Sequence, residues 1–303
     1  MIRLVMLKLL FLLFVFPSAF AFSESENSLV GVELGVADGE NFNVTFDSES
    51  ASEKDAKLLG VLQEQAIFNK LIDFSAINLQ LKSDVLYTFI QGNEPFFGAS
   101  QNQVFIPYTF LHQVYDNVRF KYPQQPALSD KLFAFTIEKL IWSEFGRVLI
   151  SQYALPVTGK EEISLDQFST IVLLNLSELD SEFLLDATEE FLLMDDSSTL
   201  MSRISFQSEA DLDELRYSLV MCMVLGKDFE NRIELLEELT WDQDRLLHCR
   251  DHYQEKMMSW YEALQPFLKQ DNNFKRWGEF LPKSEMITDV SVDGSEQGIS
   301  IAK

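Results

Sequence analysis

From residue 108 to residue 269 one helical signal follows another, and this succession constrains the fold more than any other feature of the 303-residue chain. Helices are predicted near 108–119, 129–153, 161–177, 180–194, 209–225, 227–239 and 241–269. Another precedes them: Leu58, Leu59, Leu62, Ala66, Ile67, Leu71 and Ile72 recur at helical spacing between Glu53 and Phe74. Two short strands are expected in between, at Asp84–Ile90 and Val104–Ile106, both rich in β-branched and aromatic residues. The loop joining them carries Gly92, Asn93, Pro95 and Gly98, which fits a hairpin or a small sheet. The class is therefore α+β and predominantly α-helical. With 47% hydrophobic residues, 26 of them Phe, the chain can bury a sizeable core, and one main domain is expected.

The ends read differently. Arg3 and Lys8 accompany an apolar run, Leu9 to Phe16, followed by Pro17, Ala19 and Ala21. This is the pattern of a secretory signal peptide over residues 1–21, cut after Ala21. The run falls short of the roughly 20 residues a spanning helix needs. No later stretch is apolar enough to span, so the expected product is soluble and exported, periplasmic or secreted. Residues 22–52 read as a flexible acidic leader, 53–282 as the main domain and 283–303 as a disordered tail. Cys222 and Cys249 both fall in the exported part, where oxidising conditions favour a bridge between them; two unpaired buried thiols are the alternative. The formal charge of −24 becomes two units more negative once Arg3 and Lys8 are removed, and such a surface repels phosphate backbones. Nucleic acid is excluded as a partner.

The segment with the most chemical content is Trp142-Ser143-Glu144-Phe145-Gly146-Arg147-Val148-Leu149-Ile150, then Leu155-Pro156-Val157-Thr158-Gly159-Lys160-Glu161-Glu162 and Asp166-Gln167-Phe168. It resembles a bacterial domain-of-unknown-function family of zinc metallopeptidases, whose members read HELGHALI and then LPVTGREEDAADQ. The resemblance runs from about residue 58 to 270. It takes in Asp244 to Arg250 and Ser259-Trp260-Tyr261, similar to that family's closing helix. It implies a zincin-like framework of gluzincin type, with the active-site helix near 129–153 and zinc as the family's cofactor. In an HExxH helix two His side chains one turn apart ligate zinc, and the Glu is general base toward the metal-bound water.

Position by position, Glu144 stands at the general base, here vestigial, and Gly146 matches the family's Gly. Ser143 and Arg147 stand where the two His would be. Glu162 falls on the downstream ligand position, with Glu161 as a competing acid, and Asp166 on the position of the acid that orients a ligand His. Zinc prefers imidazole and thiolate; a serine hydroxyl is a poor substitute and a guanidinium has no lone pair to give. No bound metal is expected. Arg147 is instead expected to act as an internal counter-ion, hydrogen-bonding Glu162 or Asp166 in a fork geometry. Two plainer readings compete: Ser143 and Arg147 as helix-surface residues, and the acids as an ordinary acidic first turn.

His248 and His252, four apart on a predicted helix, share a face as zinc ligands often do. Cys249 follows His248 where a zinc helix would carry Glu, so a surface or packing role is expected. His112 stands alone and is expected in the core or at its rim. Three functional readings follow. The leading one is a metallopeptidase homologue without catalysis that binds a peptide or protein. The others are a hydrolase using the remaining carboxylates with Mg, Ca or Mn, and a structural exported protein.

Overall fold

A computed structural model of the chain describes residues 41–46, 51–92, 98–100, 102–157, 159–176, 184–188, 208–227 and 243–272. The expected signal peptide, the tail from 283, the helix at 227–239 and most of the one at 180–194 lie outside them; a helical stretch at 184–188 is what is described of the latter.

The order of elements is β1 (Phe42–Phe46), α1 (Glu53–Glu64), α2 (Ile67–Asn78), β2 (Val85–Ile90), β3 (Gly98–Ser100), β4 (Gln103–Pro107), α3 (Tyr108–Lys121), α4 (Pro126–Tyr153) and α5 (Glu161–Leu176). They are followed by α6 (Ser208–Lys227), α7 (Gln243–Leu264) and a 3-10 turn at Gln265–Phe267. The described residues belong to one compact unit, mostly helical with a small sheet. No helix among them is long and apolar enough to cross a membrane.

The sheet has the order β1-β2-β4-β3. β2 pairs in parallel with both β1 and β4, and β3 pairs antiparallel with β4. The two strands read from the sequence are therefore parallel neighbours, and the hairpin is the one that β4 makes with β3. β1 falls inside the stretch expected to be a flexible leader. Its Phe42-Asn43-Val44-Thr45-Phe46 alternation is a strand pattern, and Phe42 and Val44 are buried. Phe42 stacks on Tyr87 of β2 with ring centres 5.4 Å apart, so the leader's end is part of the core.

The single helix expected over 53–74 is two. α1 starts with a capping box, in which the Asp55 backbone amide donates to Ser52 Oγ while the Ser52 amide donates back to Asp55 Oδ2. It stops at Gln65, because Ala66 takes a left-handed conformation (φ 51°) before α2 begins. Neither Gly nor Pro marks the break, and the apolar period runs straight through it.

α4 organises the rest. Its 28 residues span about 42 Å, with Pro126 in the first turn, where a missing N–H costs nothing. From Leu132 to Gly146 every residue is buried. Phe74 of α2 packs edge-on against Trp142 at 5.2 Å, and Tyr87 Oη of β2 donates to the Ile141 carbonyl at 3.0 Å. A helix enclosed on all sides must satisfy its own polar side chains locally, and α4 carries Glu138, Lys139, Ser143 and Glu144 in that stretch. α6 and α7 are joined by the Cys222–Cys249 disulfide, with Cα atoms 4.8 Å apart. They approach so closely at Gly226 that a Cβ there would sit 2.2 Å from the Cys249 carbonyl oxygen.

Candidate functional site

Lys139, Ser143 and Arg147 follow one another at four-residue intervals and form one stripe along α4. α5 packs against this helix, and Gly146 sets how close it comes. A Cβ at Gly146 would stand 2.8 Å from Phe168 Cδ1 and 3.3 Å from Leu165 Cδ2. The connection between the helices uses two left-handed residues, Ala154 (φ 52°) and Gly159 (φ 88°). It brings the acidic first turn of α5, Glu161 and Glu162, level with the C-terminal part of the stripe.

Arg147 is the centre of that corner. Its Nε donates to Glu144 Oε2 at 3.1 Å, and its Nη1 donates to Glu161 Oε1. One guanidinium thus joins the Glu144 carboxylate of α4 to the first residue of α5. Glu144 is 7% exposed, so the contact neutralises an acid that burial would otherwise penalise. Its charge reaches the sheet as well: burial first, and Glu144 second, push the Tyr87 hydroxyl well above the usual tyrosine range. Ser143, 6% exposed, has a buried Oγ with no hydrogen-bond partner among the described residues.

Arg147 was expected to hold Glu162 or Asp166, and it holds neither. Glu162 is exposed, because the helical turn that aims Glu161 at Arg147 carries its neighbour about 100° round toward solvent. Asp166 is enclosed by other cations: Lys139 Nζ donates to its Oδ1 at 2.8 Å and Arg216 Nε donates to its Oδ2 at 2.6 Å. All three side chains are at most 5% exposed. Burial raises the Asp166 carboxyl, but the two cations, Lys139 foremost, outweigh it and hold the acid below the usual carboxylate range. Asp166 thereby ties α4, α5 and α6 together. Neither Lys139 nor Arg216 was picked out from the sequence. Lys139 had a signal, a lysine between Phe133 and Ile141 in a mostly apolar stretch, which demands a buried acid nearby.

Next to Lys139, Glu138 looks the other way. Lys70 Nζ of α2 lies 3.0 Å from both its carboxylate oxygens, and burial still leaves Glu138 above the usual range. His112, as expected, is a rim residue: its Nε2 lies 2.6 Å from Asp55 Oδ1, with a third of the ring side chain exposed.

The donor set does not fit zinc. Ser143 supplies a neutral hydroxyl, Arg147 a cation already seated on two acids, and Glu162 points outward. No group of three or more His, Cys, Asp or Glu side chains placed to hold a metal occurs among the described residues.

The family model described as "Putative metallopeptidase" (DUF4344) matches residues 48–264. The chain belongs to that family. The match begins between β1 and α1 and ends with α7, so it takes in the long helix α4, whose stripe in this DUF4344 member reads Lys-Ser-Arg. Comparisons with curated proteins and with solved structures return no significant match.

Proposed function

We propose that this member of the metallopeptidase family is an exported pseudoenzyme that binds a peptide or protein partner without cleaving it. The observation that carries the reading is the Arg147 bridge between Glu144 and Glu161. A general base must be free to take a proton from an activated water, and the Glu144 carboxylate is engaged by a fixed cation instead. The same bridge occupies two of the carboxylates that another ion would need.

Binding is supported by a cavity of about 140 Å³ one turn beyond Arg147, lined by Ile150, Leu155, Val157, Ile163 and Trp260 among others. Ser164, Gln167, Lys256 and Ser259 also line it, so apolar contact and hydrogen-bonding groups are both on offer to a peptide side chain. Export is supported by the pattern of residues 1–21 and by a disulfide, a bond that persists in oxidising compartments.

The test supplies zinc and an unbiased peptide pool to the native chain. Cleavage is read by mass spectrometry, and peptides retained by the immobilised protein are identified. Retention without cleavage is expected; cleavage that disappears in Glu144→Gln overturns the reading.

A further inference from the structure

α7 holds two imidazoles that the α4 site does not use. His248 and His252 are one turn apart, on the same side of the helix, with ring centres 6.4 Å apart and ring planes inclined by 31°. His248 is exposed. The Nε2 of His252 is buried and has no hydrogen-bond partner among the described residues, an arrangement that costs free energy unless something else fills the position. Glu255 lies three residues beyond His252 and interacts electrostatically with both rings, and the Lys256 cation acts on the His252 ring as well. Its carboxylate is bonded to Lys256 Nζ at 2.8 Å, at a side chain 66% exposed. Between the histidines in sequence, Cys249 is fully buried in its disulfide with Cys222.

We propose that His248 and His252 form a binding site for a divalent transition-metal ion of the zinc and copper class on α7. The site is separate from the α4 stripe and does not depend on the pseudoenzyme reading. Metal–nitrogen bonds of about 2.0–2.1 Å draw two chelating imidazoles to about 5 Å between ring centres. The rings therefore close by roughly an ångström, a rotamer adjustment that exposed His248 is free to make. Water completes the coordination. Glu255 becomes a third ligand if it leaves Lys256, an exposed pair that holds it only weakly. Two imidazoles favour zinc, copper or nickel over magnesium and calcium, which prefer oxygen. A chain of formal charge −24 concentrates cations at its surface.

The experiment is calorimetric titration of the chelator-stripped full chain with zinc chloride at neutral pH. One equivalent is expected to bind. His248→Gln and His252→Gln should each weaken it by about tenfold or more, and the double variant should abolish it. His112→Gln should leave the isotherm unchanged. Equal binding by the native chain and the double variant, or no binding by the native chain, overturns the proposal. A second measurement needs no variant: the chain has 3 histidines, so nickel should broaden the ring proton signals of two and spare the third. Broadening of all three alike, or of none, counts against the site.

Discussion

Asp166→Asn removes one negative charge and almost no volume from the enclosed group that holds three helices together. In the native chain the carboxylate accepts from Lys139 Nζ at 2.8 Å and Arg216 Nε at 2.6 Å, and solvent barely reaches any of the three. An amide keeps the shape but leaves both cations facing a neutral group. Removing one partner of a buried ion pair costs about 3–5 kcal/mol, because the remaining charge cannot rehydrate. For a domain of this size each kcal/mol moves Tm by about 2–4 °C, so a fall of roughly 6–20 °C is expected. Thermal unfolding followed by far-UV circular dichroism measures it, with urea unfolding as the isothermal check. The acid limb gives an independent signature. The folded Asp166 carboxyl lies below its ordinary value of 3.8, so its contribution is complete above that value and is lost as pH falls through the folded pKa, where the unfolded chain already holds the proton. That contribution should be missing from the variant. A loss under about 1 kcal/mol, the range of exposed pairs, would refute the claim that this carboxylate ties α4, α5 and α6.

Gly146→Ala places a Cβ 2.8 Å from Phe168 Cδ1, and the forced separation of α4 and α5 should cost about 1–3 kcal/mol, measured by urea unfolding; a neutral result would show that the contact yields freely. Ser143→Ala should be neutral or stabilising by up to about 1 kcal/mol, since the hydroxyl it deletes is buried without a partner; a clear loss of stability would reveal a bond to that oxygen. Reducing Cys222–Cys249, 27 residues apart in sequence, should lower stability by about 3 kcal/mol, seen as an earlier melt in dithiothreitol that the Cys222→Ser/Cys249→Ser variant reproduces without reductant.

Helices with long apolar periods were legible in the sequence because burial itself writes the period: α3, α4, α5 and α6 fall within a few residues of where spacing places them. The break at Ala66 was not, because a left-handed alanine leaves no compositional trace and both α1 and α2 continue the same apolar rhythm. β1 was hidden by its surroundings: five alternating residues in an acidic Ser- and Asn-rich stretch become a strand only because β2 offers a parallel edge, a pairing across more than forty residues. At the site, the need of Arg147 for acids followed from its charge. Which acids it would meet depended on how α5 is rotated, and that rotation is fixed by Phe168 and Leu165 packing on Gly146. The partners of Asp166 came from α4 and α6, Lys139 lying 27 residues upstream and Arg216 fifty downstream, where no local spacing rule reaches.

We propose that the Arg147 guanidinium, seated on Glu144 and Glu161, keeps a zinc ion from settling beside Glu144. Crystals of the full chain grown with excess zinc, with diffraction recorded on both sides of the zinc absorption edge, test it directly because anomalous peaks locate each ion by position. The account predicts no zinc peak beside Glu144 and an Arg147 side chain still bridging the two acids. A strong peak between Ser143 and Glu162, with Arg147 swung away, would contradict it.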